Sequence, residues 1–369
     1  IFHAASAGEF EQLKPILKNI DRNKYFIIQT FTSPTIYEKE KNNKLFNLSC
    51  YHPYDLWWKS FYFFYKIKPN IYVITRHDLW PWHVLFASMF KSKIFYINAN
   101  IHLRSIWLNI LIKPFAIVIF RRVTKCLVPS KNIAVLAKKI IHKNKIIITG
   151  DTRFDQIIDR YKSNKNKNYL PENFLKSFNT IFGSYDDYDE KIILNSLFTC
   201  YPKGSSTLKK MNHQIILVPH EVEKKNIKLI FAKLYKNNFK PILFSNINNW
   251  NETNNVVIID KVGILADLYK YATLAYVGSG FGRGVHSVIE PAIHGCAVSF
   301  GPNIEILDEA KYIYQKGLGL MIKNQSDMND FLKLYKTKDK INKLSKGVKN
   351  YILTNKNISE KVFQIIENQ

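Results

Sequence analysis

Several things are scarce in this chain, and each scarcity removes a class of protein. The four cysteines, Cys50, Cys126, Cys200 and Cys296, stand far apart. None pairs at C-x-x-C spacing, so neither a zinc site nor a disulfide framework is indicated, and a reducing compartment fits. No run of about 18 uninterrupted apolar residues occurs, so no segment reads as a membrane-spanning helix. No short-period repeat is present, which excludes solenoids and propellers. Acidic residues are few: 29 Asp and Glu face 54 Lys and Arg, a net charge of +25. Such a field favours an anionic partner, whether nucleic acid, lipid surface or phosphorylated substrate. The charge is spread among abundant Lys, Asn and Ile, as AT-rich coding also produces. No arginine-rich arm or nucleic-acid motif occurs, so no nucleic-acid partner is expected. An initiator Met is missing as well, and the first residues read as a strand, so the chain is expected to be a fragment without its N-terminal segment.

What is present is alternation. Short apolar runs and helical patterns succeed one another along the 369 residues, enough chain for two or three domains. Seven strands are expected before residue 150 and seven after residue 179, near 1–4, 26–30, 46–50, 71–75, 94–98, 125–129 and 146–149, then 180–183, 214–218, 241–244, 256–260, 274–278, 297–300 and 319–322. This βαβ pattern, twice over, predicts two Rossmann-like α/β domains with parallel sheets facing a cleft. We place the first at 1–160 and the second at 161–350. A helix at 351–369 is expected to pack across them. The polar stretch 159–173 reads as a linker. Two segments suit a membrane interface or a helix packed on a sheet: 57–68, WWKSFYFFYKIK, and 106–120, IWLNILIKPFAIVIF, flanked by Arg104, Arg121 and Arg122.

At the start, HAASAGEF runs from an apparent strand through small residues into a helix whose apolar positions are Leu13, Ile16, Leu17 and Ile20. Ser6 and Glu9 fit a capping box, in which each side chain satisfies a free backbone N–H of the first turn. The same Glu9 stands where α/β sheets bind ligands, beside residues small enough to leave room for one. Cap and catalytic base are both open readings. Asp78, in VITRHDLWPWH, follows a strand at the same kind of edge, as a buried cap or a second acid.

The second half carries VGSGFGRGVHSVIEPAIHG. A strand leads into Gly278, Gly280, Gly282 and Gly284, then into a helix. Such a loop lets a phosphate approach backbone N–H groups, or simply meets a need for positive φ. The spacing is neither G-x-G-x-x-G nor a P-loop. Glu290 could accept from ribose hydroxyls. His286 and His294 have no Cys or Asp at metal spacing, so no metal is expected. In FGSYDDYDE, Ser184 and Asp187 fit a capping box, with the Ser184 hydroxyl open to a phosphate.

Taken together, HAASAGEFEQ, TFTSPTIYE, RHDLWP, INANI, TGDTRFD, LVPHEVE and GFGRGVHSVIEPAIHG resemble, in order and approximate spacing, the 3-deoxy-D-manno-octulosonic acid (Kdo) transferases. The resemblance covers residues 2–322. It implies a GT-B type glycosyltransferase that moves Kdo from CMP-Kdo to a lipid A precursor in lipopolysaccharide biosynthesis. The transfer would invert the anomeric carbon and use no metal or other cofactor. It implies Glu9 as the general base and Asp78, shorter than the usual Glu, as a second essential acid. Ser6, Gly8 and Arg76 fall on the acceptor side. Donor binding falls to Ser184, His220, Gly280, Phe281, Gly282, His286, Ser287 and Glu290. Ser287 stands where the family usually has Asn, and His220 follows Pro219 where many members have Arg. The implied location is the cytoplasmic face of the inner membrane, peripheral or held by an N-terminal segment. Two rivals stay open: another GT-B enzyme with a different donor or acceptor, and a catalytically inactive, basic membrane-binding relative.

Overall fold

A computed structural model describes residues 1–163 and 167–368. The chain forms two compact units, Ile1–Gln156 with Asn355–Gln369, and Ile157–Thr354. The first holds β1 (Phe2–Ala4), β2 (Ile28–Phe31), β3 (Leu48–Tyr51), β4 (Ile71–Thr75), β5 (Lys93–Ile97), β6 (Lys125–Val128) and β7 (Ile146–Ile148). They make one parallel sheet in the order β3-β2-β1-β4-β5-β6-β7. The second holds β8 (Phe178–Tyr185), β9 (His213–Pro219), β10 (Pro241–Leu243), β11 (Val256–Ile258), β12 (Leu274–Val277), β13 (Ala297–Phe300) and β14 (Leu320–Met321). Its order is β10-β11-β9-β8-β12-β13-β14, again parallel.

The central strands are buried on both faces and therefore read as continuous apolar runs, as in LAYV and AVSF. All fourteen expected strands are present. Strand order reverses between β1 and β4 in one sheet and between β8 and β12 in the other. The loops leaving these strands diverge and open a crevice at the carboxyl edge, where such sheets bind ligands.

Two stretches differ from the sequence expectation. The polar 159–173 segment begins inside a helix, Arg153–Ser163, because Phe154, Ile157 and Ile158 recur at helical spacing and are buried. Residues 164–166 lie outside the described residues. The tail is two helices, Lys338–Thr354 and Ile358–Glu367, broken at Asn357 with φ 61°. The second groups with the first unit: Ser359 N–H donates to the Asp155 carboxylate at 2.6 Å, and Lys24 pairs with Glu367 at 2.8 Å.

Beneath the first sheet's carboxyl edge lie three buried histidines. His3 stacks on His52 at 4.0 Å, and His52 Nε2 lies 3.0 Å from both His83 Nδ1 and the Tyr72 hydroxyl. Burial, reinforced by the His83 imidazole, pushes His3 down to about 3; burial pushes His83 down to about 4. The unfolded chain takes up these protons at the ordinary value of about 6.5. Stability from the neutral rings is therefore complete above that pH and lost as the pH falls towards the folded values, at up to about 1.4 kcal/mol per unit and ring. Thermal unfolding should show a melting temperature several degrees lower at pH 5.0 than at pH 7.5; equal values would contradict this account.

Candidate active site

The Ala7–Lys18 helix starts immediately after β1, and its first turn leaves free N–H groups. Glu9 Oε2 accepts two nearby backbone N–H groups, Ala5 at 2.9 Å and Ser6 at 3.1 Å, while Glu9 N–H donates to Ser6 Oγ at 3.4 Å. The capping box is thus real, and it holds a buried carboxylate rather than an exposed one. Across the strand reversal, the loop after β4 brings Asp78 within hydrogen-bonding reach of Glu9. Burial first, then the Glu9 hydrogen bond and charge, pushes Asp78 up to about 7. Two such carboxyls retain one proton between them near neutrality, because ionising both places like charges side by side.

The surroundings are small and basic. Ser6 and Gly8 are exposed, and a Cβ on Gly8 would meet nothing within 4 Å. The fold makes no steric demand for that glycine. Arg76 holds a left-handed φ of 62°, with its carbonyl accepting from the Tyr96 hydroxyl at 2.5 Å. His77 is kept below the ordinary imidazole range by burial and by Arg76.

The helix is held in place by residues not singled out from the sequence. Asn98, just past β5 with φ 48°, donates to Thr152 Oγ1 at 2.7 Å and Gln12 Oε1 at 3.2 Å. Thr152 returns a bond to the Gln12 carbonyl at 2.9 Å and donates its N–H to Asn98 Oδ1 at 3.1 Å. All three are buried, so this bracket ties the helix one turn beyond Glu9 to the edges of β5 and β7. Asp151 holds Arg153 by two guanidinium contacts, at 2.9 and 2.8 Å. Asn98 and Thr152 belong to INANI and TGDTRFD; those stretches were visible as motifs, but their partners come from distant elements.

In the second unit, Ser184 has φ 54° at the end of β8, and its hydroxyl lies 2.9 Å from His220 Nδ1. His220 stacks on His286, whose Nε2 lies 2.9 Å from Ser279 Oγ. These three predicted donor residues come together. Glu290 does not join them: it lines a separate recess with Arg160, Tyr161, Asp267, Lys270 and His294, its carboxyl raised chiefly by burial. Ser287 Oγ is buried without a partner, and Phe281 packs partly against the core.

The expected box of Ser184 and Asp187 is instead Asp186 and Asp189, because the Asp187–Cys200 helix starts later than assumed. Asp189 is buried and accepts from the Tyr276 hydroxyl at 2.6 Å, Ser279 N–H at 2.5 Å and Asp186 N–H at 3.1 Å. Burial still lifts it to about 6. It pins the glycine loop to the start of that helix.

The glycines of that loop are explained by packing. A Cβ on Gly278 would lie 2.3 Å from Tyr185 Cα, and one on Gly280 would lie 2.5 Å from Gly301 Cα. Gly282 abuts the Asp186 carboxylate, and only Gly284 needs a positive φ, 118°. Among the described residues, no group of three or more His, Cys, Asp or Glu is placed to hold a metal ion.

Residues 1–156 match the family described as 3-deoxy-D-manno-octulosonic-acid transferase (kdotransferase). A Kdo transferase of Aquifex aeolicus is 28% identical over 88% of this chain and 82% of its own length. One of Rickettsia prowazekii is 25% identical over 88% and 69%. In structure, the UDP-GlcNAc 2-epimerase of Neisseria meningitidis, solved with UDP-GlcNAc, aligns with a TM-score of 0.70 at 13% identity, over 100% of this chain and 99% of that one. That likeness concerns the fold, two Rossmann-like units of the GT-B class.

The two kinds of glycine separate in a stability measurement. Gly280→Ala should cost at least about 1–3 kcal/mol, since backbone must move to admit the methyl group. Gly8→Ala should be neutral or stabilising by up to about 1 kcal/mol, as alanine favours a helix. A melting-temperature loss at Gly8 equal to that at Gly280 would contradict this assignment.

Proposed function

We propose that the chain is a glycosyltransferase of the Kdo transferase family acting in lipopolysaccharide biosynthesis, as its similarity to these relatives supports, and that it moves Kdo from CMP-Kdo to a lipid A precursor, inverting the anomeric carbon without a metal ion. The observation that carries this reading is the Glu9–Asp78 carboxyl pair at the strand reversal of the first sheet. An acceptor hydroxyl attacking the anomeric carbon must lose its proton, and Glu9 is the carboxylate positioned to take it. Such assistance is typically worth about 10²–10⁴-fold. Asp78 keeps the shared proton and donates to Glu9, so the pair holds one negative charge before the reaction. The empty space over Gly8 and the exposed Ser6 leave room for the sugar bearing that hydroxyl. Arg76 supplies a positive charge on the acceptor side. The bond between Kdo and phosphate breaks with its electron pair on the phosphate oxygen. Ser184, His220 and His286, with the loop through Gly280, Phe281 and Gly282, are assigned to the donor phosphate. Glu290 is assigned to the ribose, and Ser287 to the neighbouring donor contact that the family makes with Asn.

The buried, unpartnered Ser287 hydroxyl favours one rival, a different nucleotide-sugar donor. A donor panel separates the two.

The acceptor reading also calls for a lipid surface, and the first unit presents one of suitable chemistry. In the Trp57–Ile67 helix only Ser60 and Phe64 are buried, leaving Trp57, Trp58 and Tyr62 in solvent. Lys59 and Lys66 lie over the Tyr54 and Tyr62 rings. The 106–120 stretch is a 3₁₀ turn, Ile106–Leu108, and a helix, Lys113–Phe120; between them Ile110 and Leu111 are 84% and 86% exposed. No helix among the described residues is long and apolar enough to cross a membrane. Aromatic rings and aliphatic tips beside Lys and Arg suit the boundary between acyl chains and anionic headgroups. We assign this face to the cytoplasmic side of the inner membrane.

Kdo transfer to a tetra-acylated lipid A precursor, read by mass spectrometry in the presence of a chelator, tests the activity. Glu9→Gln should lower kcat by about 10²–10⁴ with an unchanged melting temperature. Asp78→Asn, which mimics the protonated acid, should retain most of the activity and lose any inflection near pH 7 in the rate profile. The opposite ranking would reassign the base to Asp78, and no transfer by the wild type would sink the substrate reading.

Sedimentation with vesicles tests the surface. Binding should need anionic lipid, weaken with salt and drop at least about tenfold in an Ile110→Asp, Leu111→Asp double variant, a loss of roughly 1.4 kcal/mol or more. Binding that ignores the double substitution would place the membrane face elsewhere.

A further inference from the structure

The stacked imidazoles of the second unit make a more specific device than a pair of donor contacts. The rings of His220 and His286 lie 4.8 Å apart, with 18° between their planes. Each is tethered at one nitrogen to a serine: His220 Nδ1 to Ser184 Oγ, His286 Nε2 to Ser279 Oγ, both at 2.9 Å. Both serines sit at left-handed φ, 54° and 64°, so the backbone holds the hydroxyls in place against its own preference. The remaining nitrogens, His220 Nε2 and His286 Nδ1, have no protein partner among the described residues. His220 is exposed and His286 half-buried at the recess they border.

Two imidazoles this close resist a second proton, because the charges repel. His286 is already held below the ordinary range, first by burial and then by His220. The charged groups facing the pair come from three elements. From the Asp187–Cys200 helix and its cap come Asp186, Asp187 and Glu190; after β9 comes Glu221; from the glycine loop comes Arg283. Asp186 pulls His286 upward, but one of its oxygens is engaged by the Tyr188 and Asp189 N–H groups. Glu190 is paired with Lys233 at 2.7 Å, while Asp187 and Glu221 are exposed. Asp189 lies behind Ser279 and spends its acceptors on buried donors. A phosphate against the two free nitrogens would add the opposite charge at hydrogen-bond range, which favours an imidazolium.

We propose that the His220–His286 stack takes up one proton from solvent as the donor's phosphodiester binds, turning a neutral pair of rings into a singly positive one. This rests on the donor reading above. The proton then balances the reaction without a metal. When the bond from Kdo to phosphate breaks, the electron pair stays on the phosphate oxygen and CMP goes from one negative charge to two. The imidazolium faces that added charge, while the acceptor's proton is on Glu9. Product leaves as the pair returns its proton to solvent.

Calorimetry with cytidine 5′-methylphosphate, a phosphodiester with no titrating proton near neutrality, tests this directly. At pH 7.5 the binding enthalpy should change linearly with the ionisation enthalpy of the buffer, reporting uptake of about 0.5–1 proton per ligand. The uptake should shrink as the pH falls far enough for the free rings to take up a proton unaided, and affinity should fall by up to about tenfold per unit at alkaline pH. His286→Gln and His220→Gln, each checked for an unchanged melting temperature, should bind more weakly, and at least one should show no buffer dependence. Binding with a buffer-independent enthalpy overturns the proposal and leaves the donor reading standing. Undiminished uptake in both variants also overturns it, by placing the proton elsewhere. No binding of the probe at any pH overturns the donor reading, and the proposal with it.

Discussion

Helix starts carry free N–H groups that must find acceptors, and this constraint organises both units. In each, the first strand of the sheet runs directly into a helix, and the helix satisfies its entry with an acid at its third position: Glu9 after β1 and Asp189 after β8. Both acids are buried, and both reach the loop that leaves the neighbouring strand across the reversal of strand order. What they meet there differs. Asp189 meets an N–H and a tyrosine hydroxyl, so its oxygens are used and it acts as a fastener. Glu9 meets a second carboxyl, so the unit retains a proton and a negative charge that it has not spent on folding. The same local solution thus yields a structural joint in one sheet and a pair of facing carboxyls in the other.

Strain follows the same geography. Arg76, Asn98, Ser184 and Ser279 all have positive φ, and all lie at or just past the carboxyl ends of strands bordering the reversals or one strand away. Non-glycine residues hold that conformation only when neighbours over-determine it. Here the neighbours are identifiable: the Tyr96 hydroxyl on the Arg76 carbonyl, Thr152 and Gln12 on Asn98, His220 on Ser184, and Asp189 on Ser279. The edges that hold the candidate site are thereby pinned, while the exposed aromatics Trp57, Trp58 and Tyr62 stand on a helix that buries only Ser60 and Phe64.

Much of the fold was legible because parallel strands buried on both faces are written as apolar runs, and because glycine and polar residues punctuate them. The Ser6–Glu9 cap was legible for the same local reason. Errors arose where composition and spacing conflicted. The 159–173 stretch looked like a linker from its lysines and asparagines, yet the buried Phe154, Ile157 and Ile158 just before it nucleate a helix that runs on into it as far as Ser163. In FGSYDDYDE two overlapping boxes satisfy the same spacing, and only the position where β8 ends selects Asp186 over Ser184.

The sequence by itself determined the two sheets, the helix entries and the candidate acids, because each depends on residues within one turn or one strand. Only the tertiary structure decided what those residues meet. The pairing of Glu9 with Asp78 spans 69 positions, the Asn98–Thr152 bracket 54, and the stack of His220 on His286 66. No periodicity encodes such distances. They follow from strand order, which sets which loops share a crevice, and strand order is settled by packing whole sheets rather than by any local preference.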